Sequence, residues 1–547
     1  MRDIFEIEEA IRIVIGLVGG LGLFLYGMTI MGDGLQKSAG NRMKKIIEIL
    51  TTNKIIGMLV GAAVTMVIQS SSATTVMVIG FVNAGIMTLI QAAGVIMGAN
   101  IGTTVTAQIV ALDLSYLAPA VIGIGVAMWL FAKNKRSKNI AEIFIGFGIL
   151  FLGMELMQDS LRPLGSMPIF EEFILSIDVS SPVIYFLAIG VGFLFTAIIQ
   201  SSSATTGILV AMAFEGLITI EIALPLIFGT NIGTCVTAVL SGIGANTTAK
   251  RAAAIHMLFN IIGTLIFVIF FRDITILIAK TLSPINAARQ IAHAHTFFNV
   301  VNTLLLLPFS KYIVLLAEKI IPEKVDSKRE FKTYLDERML GTPGIALVQV
   351  TKEIISMAEI ALESYNLSVQ SVIEKLPTDQ VFELEKVINQ KHRNIESYLV
   401  KLNDENVSSQ QHEKMNLMIS LISDIERIGD HAENVAELSD YVMDNAIKFS
   451  DLAIAELKDM HEKVQESVQQ SIEALETNNL EIAQSIVTRE DKIDEIERKL
   501  RKSHIDRLNK GQCTVGAGVI FLDILTNLER ISDHTEKIAY YVMDTAK

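Results

Sequence analysis

Along the first 325 positions, apolar and polar residues are sorted into long blocks rather than alternating. Apolar runs occupy 11–31, 55–68, 73–99, 115–132, 140–157, 183–199, 204–228, 252–271 and 291–309. Several reach the ~20 residues that a helix needs to cross a hydrocarbon core ~30 Å thick. From about 335 the pattern changes to apolar positions three and four apart, the signature of amphipathic helices. Polar breaks near LPTDQ, NDENVSSQ and ETNNLE divide this part into six helices, roughly 340–374, 378–402, 409–446, 450–476, 479–507 and 512–545. The pattern predicts an all-α chain: a polytopic membrane domain over 1–325, a linker over 326–340 and a soluble helical bundle over 341–547.

Composition supports the division. The 547 residues are 51% hydrophobic, with mean hydropathy +0.45, yet the net charge is −13. Residues 1–325 carry 20 basic against 18 acidic side chains, and residues 326–547 carry 26 against 41. The apolar stretch at 11–31 follows an acidic leader, MRDIFEIEEAIR, and no small-residue cleavage site comes after it, so it reads as a retained span. Cys235 and Cys513 stand alone in different parts of the chain, and no disulfide framework is implied. No P-loop, H-E-x-x-H or G-x-S-x-G pattern is present, so an enzyme is not expected. Nor is a nucleic-acid partner.

The membrane domain repeats itself. Shifting the sequence by 131 residues aligns 69–107 with 200–238 without a gap, and 19 of the 39 positions are identical. QSSSATT occurs at 69–75 and at 200–206, followed by GANIGTTVTA at 98–107 and GTNIGTCVTA at 229–238. Upstream, FLYGMTIMGDGL (24–35) matches FLGMELMQDSL (151–161). The first repeat is placed at about 11–132, the second at about 140–271, and a further span at 291–309.

Basic residues favour the cytoplasmic side of short loops. QKSAGNRMKK (36–45) follows the first helix and KNKRSK (133–138) precedes its counterpart, so the two repeats should cross the membrane in opposite senses. The N-terminus and EEFILSID (171–178) then fall outside, while AKRAA (249–253) and the acidic tail fall in the cytoplasm. A multi-pass protein of the inner (plasma) membrane is expected.

Inverted repeats build many secondary transporters, with cargo held near the midplane between the halves. Gln and hydroxyl side chains facing lipid would be costly, and so would the backbone groups freed by a helix break, unless both line a cavity. Half-helix N-termini there aim backbone N–H groups at an anion. Ser and Thr hydroxyls donate to oxyanions and offer lone pairs to a small cation, and carboxamides do both. No fixed cation is required at either heptad: a co-bound Na+ can neutralise the anion only while the site is loaded. A weaker pair, HMLFN (256–260) and HTFFN (295–299), places His and Asn on one helical face, most simply for interhelical hydrogen bonds.

The paired QSSS segments with their NIGT partners resemble the type II sodium/phosphate cotransporter family, in particular its bacterial members with a PhoU-like tail. The resemblance implies sodium-coupled transport of inorganic phosphate by alternating access, or phosphate export as described for some relatives. A membrane-tethered phosphate sensor is the reading from another class. Carried onto this sequence, the implied phosphate and sodium site comprises Gln69, Ser70, Ser71, Ser72, Thr74 and Asn100, with Gln200, Ser201, Ser202, Ser203, Thr205 and Asn231. Thr103, Thr104 and Thr234 are additions, and Cys235 stands where the first repeat has Thr104.

The tail also repeats: ERIGDHAE (426–433) matches ERISDHTE (529–536), each followed by YVMD. Two three-helix units are the organisation that PhoU-like proteins imply. In that family an E/D-x-x-x-D pattern collects a divalent or ferric metal. Glu426 with Asp430 and Glu529 with Asp533 fit it, with Glu385, Asp491 and Asp494 completing shells and His431 and His534 as optional ligands. Solvated carboxylates, some paired with Arg427 or Arg530, are the alternative. The resemblance further implies that the tail senses phosphate status or docks a cytoplasmic regulatory partner.

Overall fold

The computed structural model describes residues 2–39, 53–83, 85, 87–167, 170, 172, 177–243, 245–322, 333–340, 343–403 and 407–545. Positions 40–45 of the first basic cluster, most of 171–178 and much of the 326–340 linker lie outside them. The chain forms two compact units, residues 1–326 and 327–547.

The membrane unit begins with α1 (Arg2–Ala39), and its counterpart in the second repeat is α6 (Lys135–Leu161). These two helices pack along their length in opposite directions. Glycines make this approach close: a Cβ on Gly27 would lie 2.6 Å from the Gly146 carbonyl, and one on Gly20 would lie 2.8 Å from that of Gly153. Small residues that let backbones meet are the usual device for packing helices in lipid, where no hydrophobic drive exists.

Each repeat then folds as a helical hairpin and a long helix. In the first these are α2 (Lys54–Ile68), α3 (Ser71–Asn83) and α4 (Leu89–Val110), followed by α5 (Ala118–Phe131). In the second they are α7 (Pro182–Ile199), α8 (Ser202–Phe214) and α9 (Ile220–Ser241). The apolar runs 73–99 and 204–228 are each divided between two helices. Each is divided at a glycine with positive φ, Gly85 (63°) and Gly216 (72°), a conformation that other residues reach only with strain. The duplication extends to packing. A Cβ on Gly102 would lie 2.5 Å from the Ala62 carbonyl, and one on Gly233 would lie 2.6 Å from the carbonyl of Phe193, the residue equivalent to Ala62.

The unit closes with α10 (Thr247–Ile266), a π turn over Phe267–Phe271, α11 (Arg272–Leu282), α12 (Ala287–Leu306) and α13 (Ser310–Ile320). The last two helices meet at a bend of 85° after Pro308. Among the described residues, six helices or helix runs are long and apolar enough to cross a membrane, and the bent pair makes a seventh. The chain is a multi-pass membrane protein.

Polar contacts sort the helix ends onto two faces. On one, Lys37 at the end of α1 pairs with Glu142 near the start of α6 (3.0 Å). On the same face, Lys54 at the start of α2 donates to the Leu307 carbonyl (3.2 Å), and Arg251 to that of Ile321 (2.9 Å). Asn83, ending α3, is bound by Asn246, which caps α10. On the other face, Arg162 pairs with Glu215 at the end of α8 (3.1 Å), Lys280 with Glu221 (2.5 Å), and Arg272 donates to the Val179 carbonyl (2.9 Å). The α2–α3 hairpin therefore starts and ends on the first face, and α7–α8 starts and ends on the second. Both are re-entrant, and from opposite sides.

The second unit is a bundle of α14 (Pro343–Glu374), α15 (Asp379–Asn403), α16 (Ser409–Asp444), α17 (Asp451–Thr477), α18 (Leu480–Asn509) and α19 (Val515–Thr545). Apolar stripes of all six meet in one core containing Tyr365, Leu399, Ile422, Phe521 and Leu528. The motif-bearing helices α16 and α19 pack against each other, and the rings of His431 and His534 stack between them with centroids 5.8 Å apart.

Candidate functional site

Both hairpins break in the same way. Gln69 (φ 59°, ψ 22°) and Gln200 (φ 58°, ψ 24°) take the left-handed conformation, closing α2 and α7 by donating backbone N–H to the carbonyls of Thr65 and Thr196, each at 2.7 Å. A glutamine there costs roughly 1–2 kcal/mol, and such strain persists where the surroundings impose it. Ser70 and Ser201 then cap the next helix, their hydroxyls accepting from the N–H groups of Ala73 (3.1 Å) and Ala204 (3.2 Å). Thr74 and Thr205 hold the two arms together: each accepts at 2.9 Å from the hydroxyl of Thr65 or Thr196 and donates to the carbonyl of Ser70 or Ser201.

Ser71 and Ser202 are buried residues, 5% and 6% exposed, whose hydroxyls form no hydrogen bond among the described residues, and Ser72 and Ser203 stand beside them in the first helical turn, where backbone N–H groups lack intrahelical partners. Thr75 and Thr206, 1% exposed, also have unpartnered hydroxyls. Neither is among the site residues that the resemblance implies, although both lie in the duplicated heptad, the sequence signal that marks them.

The helices carrying these groups pack crosswise: α3 of the first repeat against α9 of the second, and α8 of the second against α4 of the first. Each QSSS helix thus meets the NIGT helix of the other half. Asn100 on α4 donates to Asn260 Oδ1 (2.9 Å), and its Oδ1 lies 3.4 Å from His256 Nε2. Asn260 in turn donates to Cys235 Sγ (3.3 Å) and to the His256 carbonyl (3.0 Å). The first H-x-x-F-N motif is therefore interhelical, as its spacing suggested, and its partner is a candidate site residue. Asn231 donates to its own helix at Ile227 (3.0 Å). Thr104 and Thr234 bond backward to Ile101 and Thr230, while Thr103 Oγ1 is buried without a partner.

α10 and α12 are themselves a duplicated pair: their likeness extends from H-x-x-F-N to Thr264 and Thr303, at the same 39-residue offset. α10 packs on α3, α4 and α9, and α12 on the equivalent trio α8, α9 and α4. Asn302 lies against Gly263, its equivalent, so the internal two-fold relation passes between them.

The tail holds two clusters related by its own repeat. Glu385 on α15 is 3% exposed, both its oxygens lack partners, and a Cβ on Gly429 would lie 2.5 Å from its Oε2. Burial, then Asp430, Glu433 and Glu426, push its carboxyl up to about 8. In the second cluster, oxygens of Glu490, Asp494 and Asp533 lie within 4.8 Å of one another. Burial and neighbouring carboxylates, Asp494 foremost, push Glu490 up to about 8, and they raise Glu529 and Asp533 too. Asp491 is exposed and stands outside this cluster. Glu490 takes the place expected of it, and the register of E-x-x-x-N at 385–389 on E-x-x-x-D at 490–494 was the available signal. Neither Arg427 nor Arg530 forms an ion pair with these carboxylates among the described residues.

Comparison with known proteins matches this architecture. The Na+/Pi-cotransporter family pattern fits residues 23–159 and 180–285, and the PhoU domain fits 354–439 and 457–542. The "Putative inorganic phosphate export protein YjbB" of Salmonella typhimurium is 24% identical over 537 residues, covering 96% of this chain and 97% of that protein. The "Uncharacterized protein YqeW" of Bacillus subtilis is 31% identical over 263 residues, 48% of this chain and 84% of that one. The "Sodium-dependent phosphate transport protein 2B" of Pongo abelii is 43% identical over 107 residues, 19% of this chain and 16% of that one. With two re-entrant QSSS hairpins entering from opposite faces and a duplicated three-helix tail, the chain belongs to the Na+/Pi-cotransporter family, in the form that carries a PhoU domain.

Proposed function

We propose that the protein is a sodium-coupled carrier of inorganic phosphate, working by alternating access. The observation that carries this reading is the pair of re-entrant hairpins whose tips present Ser71 and Ser202 hydroxyls without partners among the described residues. Phosphate is bound by the hydroxyls of Ser71, Ser72, Ser202 and Ser203 and by the N–H groups of the first turns of α3 and α8. The carboxamides of Gln69, Gln200, Asn100 and Asn231, with neighbouring Thr103, Thr104, Thr234, Thr74 and Thr205, supply oxygen to Na+. Because the candidate site holds no fixed cation, anion binding depends on the loaded sodium. Moving net positive charge inward gains ~2.3 kcal/mol per elementary charge per 100 mV, which favours uptake.

The name of the full-length relative YjbB favours a second direction, export. One assay addresses coupling and direction: purified protein in sealed vesicles, with radiolabelled phosphate followed under an inward Na+ gradient and under K+ instead. Accumulation that needs Na+ supports uptake; release from preloaded vesicles down a phosphate gradient, indifferent to Na+, supports export. Binding without flux refutes both.

The tail clusters fit a divalent or ferric metal, since buried unpartnered carboxylate oxygens, a glycine cradle and an all-oxygen donor set suit a hard cation. Glu385, Glu426 and Asp430 would hold one ion, and Glu490, Asp494, Glu529 and Asp533 another. Such ions would neutralise the gathered charge and tie the helices of each half together. In this reading the tail lies in the cytoplasm and regulates the carrier through a partner or through phosphate status.

A further inference from the structure

The two repeats share a fold but differ at equivalent hydrogen bonds: two sets around the site Gln and Asn are closed in the first repeat and open in the second, while Thr103, unpartnered among the described residues, and Thr234, bonded to Thr230, differ the other way. In the first, Thr106 donates to Gln69 Oε1 (2.7 Å) and Gln69 is 5% exposed. In the second, Gln200 is exposed and the Thr237 hydroxyl, equivalent to Thr106, is buried with no partner. The same split recurs one layer away. His256 and Asn260 grip Asn100, whereas both ring nitrogens of His295 and the Oδ1 of Asn299 are buried and unpartnered, and Asn231 bonds to its own helix.

Buried polar groups without partners cost free energy, so the open set is retained at a cost in this conformation. Because the repeats are inverted, exchanging the closed and open arrangements between them converts a site closed toward one face into one closed toward the other. We propose that Thr106 and Thr237, with the pairs His256–Asn260 and His295–Asn299, are positioning residues that fix the Gln and Asn of one repeat while freeing those of the other. In the oppositely facing state Thr237 donates to Gln200, His295 and Asn299 hold Asn231, and the first-repeat bonds open. The proposal rests on the alternating-access reading above, but not on which cargo moves.

Hydrogen exchange of the full-length protein in detergent, read by mass spectrometry on peptides covering 69–76 and 200–207, tests it without any flux. Thr106→Val weakens only the closed arrangement seen here. Losing one hydrogen bond is worth about fivefold in the equilibrium between states. Exchange at 69–76 should therefore rise several-fold while that at 200–207 falls, and Thr106→Ser should restore the original pattern. Thr237→Val penalises the other state, so it should shift both peptides the opposite way or, where the resting population is already one-sided, leave them unchanged. A change of the same sign in both peptides with Thr106→Val, or no change, overturns the proposal while leaving the flux result intact. A Thr106→Val protein that fails to fold passes the test to Thr237→Val, for which opening of 69–76 would be the contrary result.

Discussion

The membrane unit and the tail each place a duplicated polar constellation on facing helices, yet with opposite chemistry. Around the hairpin tips every candidate ligand is a hydroxyl, a carboxamide or a backbone N–H, and none is charged. In the tail the clusters are carboxylates, and burial, then the neighbouring carboxylates, push Glu385 and Glu490 up to about 8. A fixed charge creates a standing demand for a counter-ion and suits a resident one. Neutral groups let co-bound ions satisfy each other and leave together, so in the proposed reading the chemistry of each constellation matches the lifetime of what it would hold.

The largest effect is expected at the tips. Ser71→Ala and Ser202→Ala each remove a hydroxyl that, in the proposed site, donates to a charged oxyanion; such bonds are worth about 1.5–3 kcal/mol, or ten- to a hundredfold. Vesicle uptake at sub-saturating phosphate should fall by that factor, with the thermal transition little changed. Normal uptake by both variants would remove the heptads from the site. A second variant probes the scaffold rather than the ligands. Gly233→Val drives a side chain toward the Phe193 carbonyl and the Thr196 side chain, and overpacking of this kind costs about 1–3 kcal/mol, so the transition should move down by several degrees.

The tail should respond to pH in the opposite sense to most acidic domains. Carboxyls raised to about 8 in the folded state hold protons that the unfolded chain, with a carboxyl near 4.5, has released. Without metal, stability should therefore be full below about pH 4.5 with respect to these groups and fall as pH rises toward 8. Added Mn2+ or Ca2+ should flatten the fall, as should Glu385→Gln. A metal-free protein whose tail melts at the same temperature across this range would contradict the clustered placement. The smallest expected effect sharpens the likeness of the two halves: Asn389→Asp gives the first cluster the carboxylate that Asp494 provides in the second, and should tighten Mn2+ binding there by a modest factor in a titration.

Much of this was legible in the sequence because duplication exposes itself by simple shifting. The all-α class, the six tail helices and the opposed repeats follow from block hydropathy, 3.6-residue spacing and the basic clusters. Helix breaks inside apolar runs were less legible. Nothing in the hydropathy of 73–99 separates α3 from α4, since the division depends on the positive φ of Gly85 and on a capping box at Thr88 and Gln91, both fixed by backbone geometry. Partners across helices were hidden for a related reason: Thr106 looked like any repeat residue, and only packing brings it to Gln69. The exchange of Glu490 for Asp491 is a one-residue matter, decided by which side of α18 faces α19.

The claim that everything else depends on is that the two hairpin tips form a single binding site. A cryo-electron microscopy map of the full-length protein in a lipid nanodisc, with Na+ and phosphate present, tests it directly. The account predicts tetrahedral density within hydrogen-bonding distance of both Ser71 and Ser202. Phosphate bound at one tip alone, or tips held apart with no density between them, would contradict it.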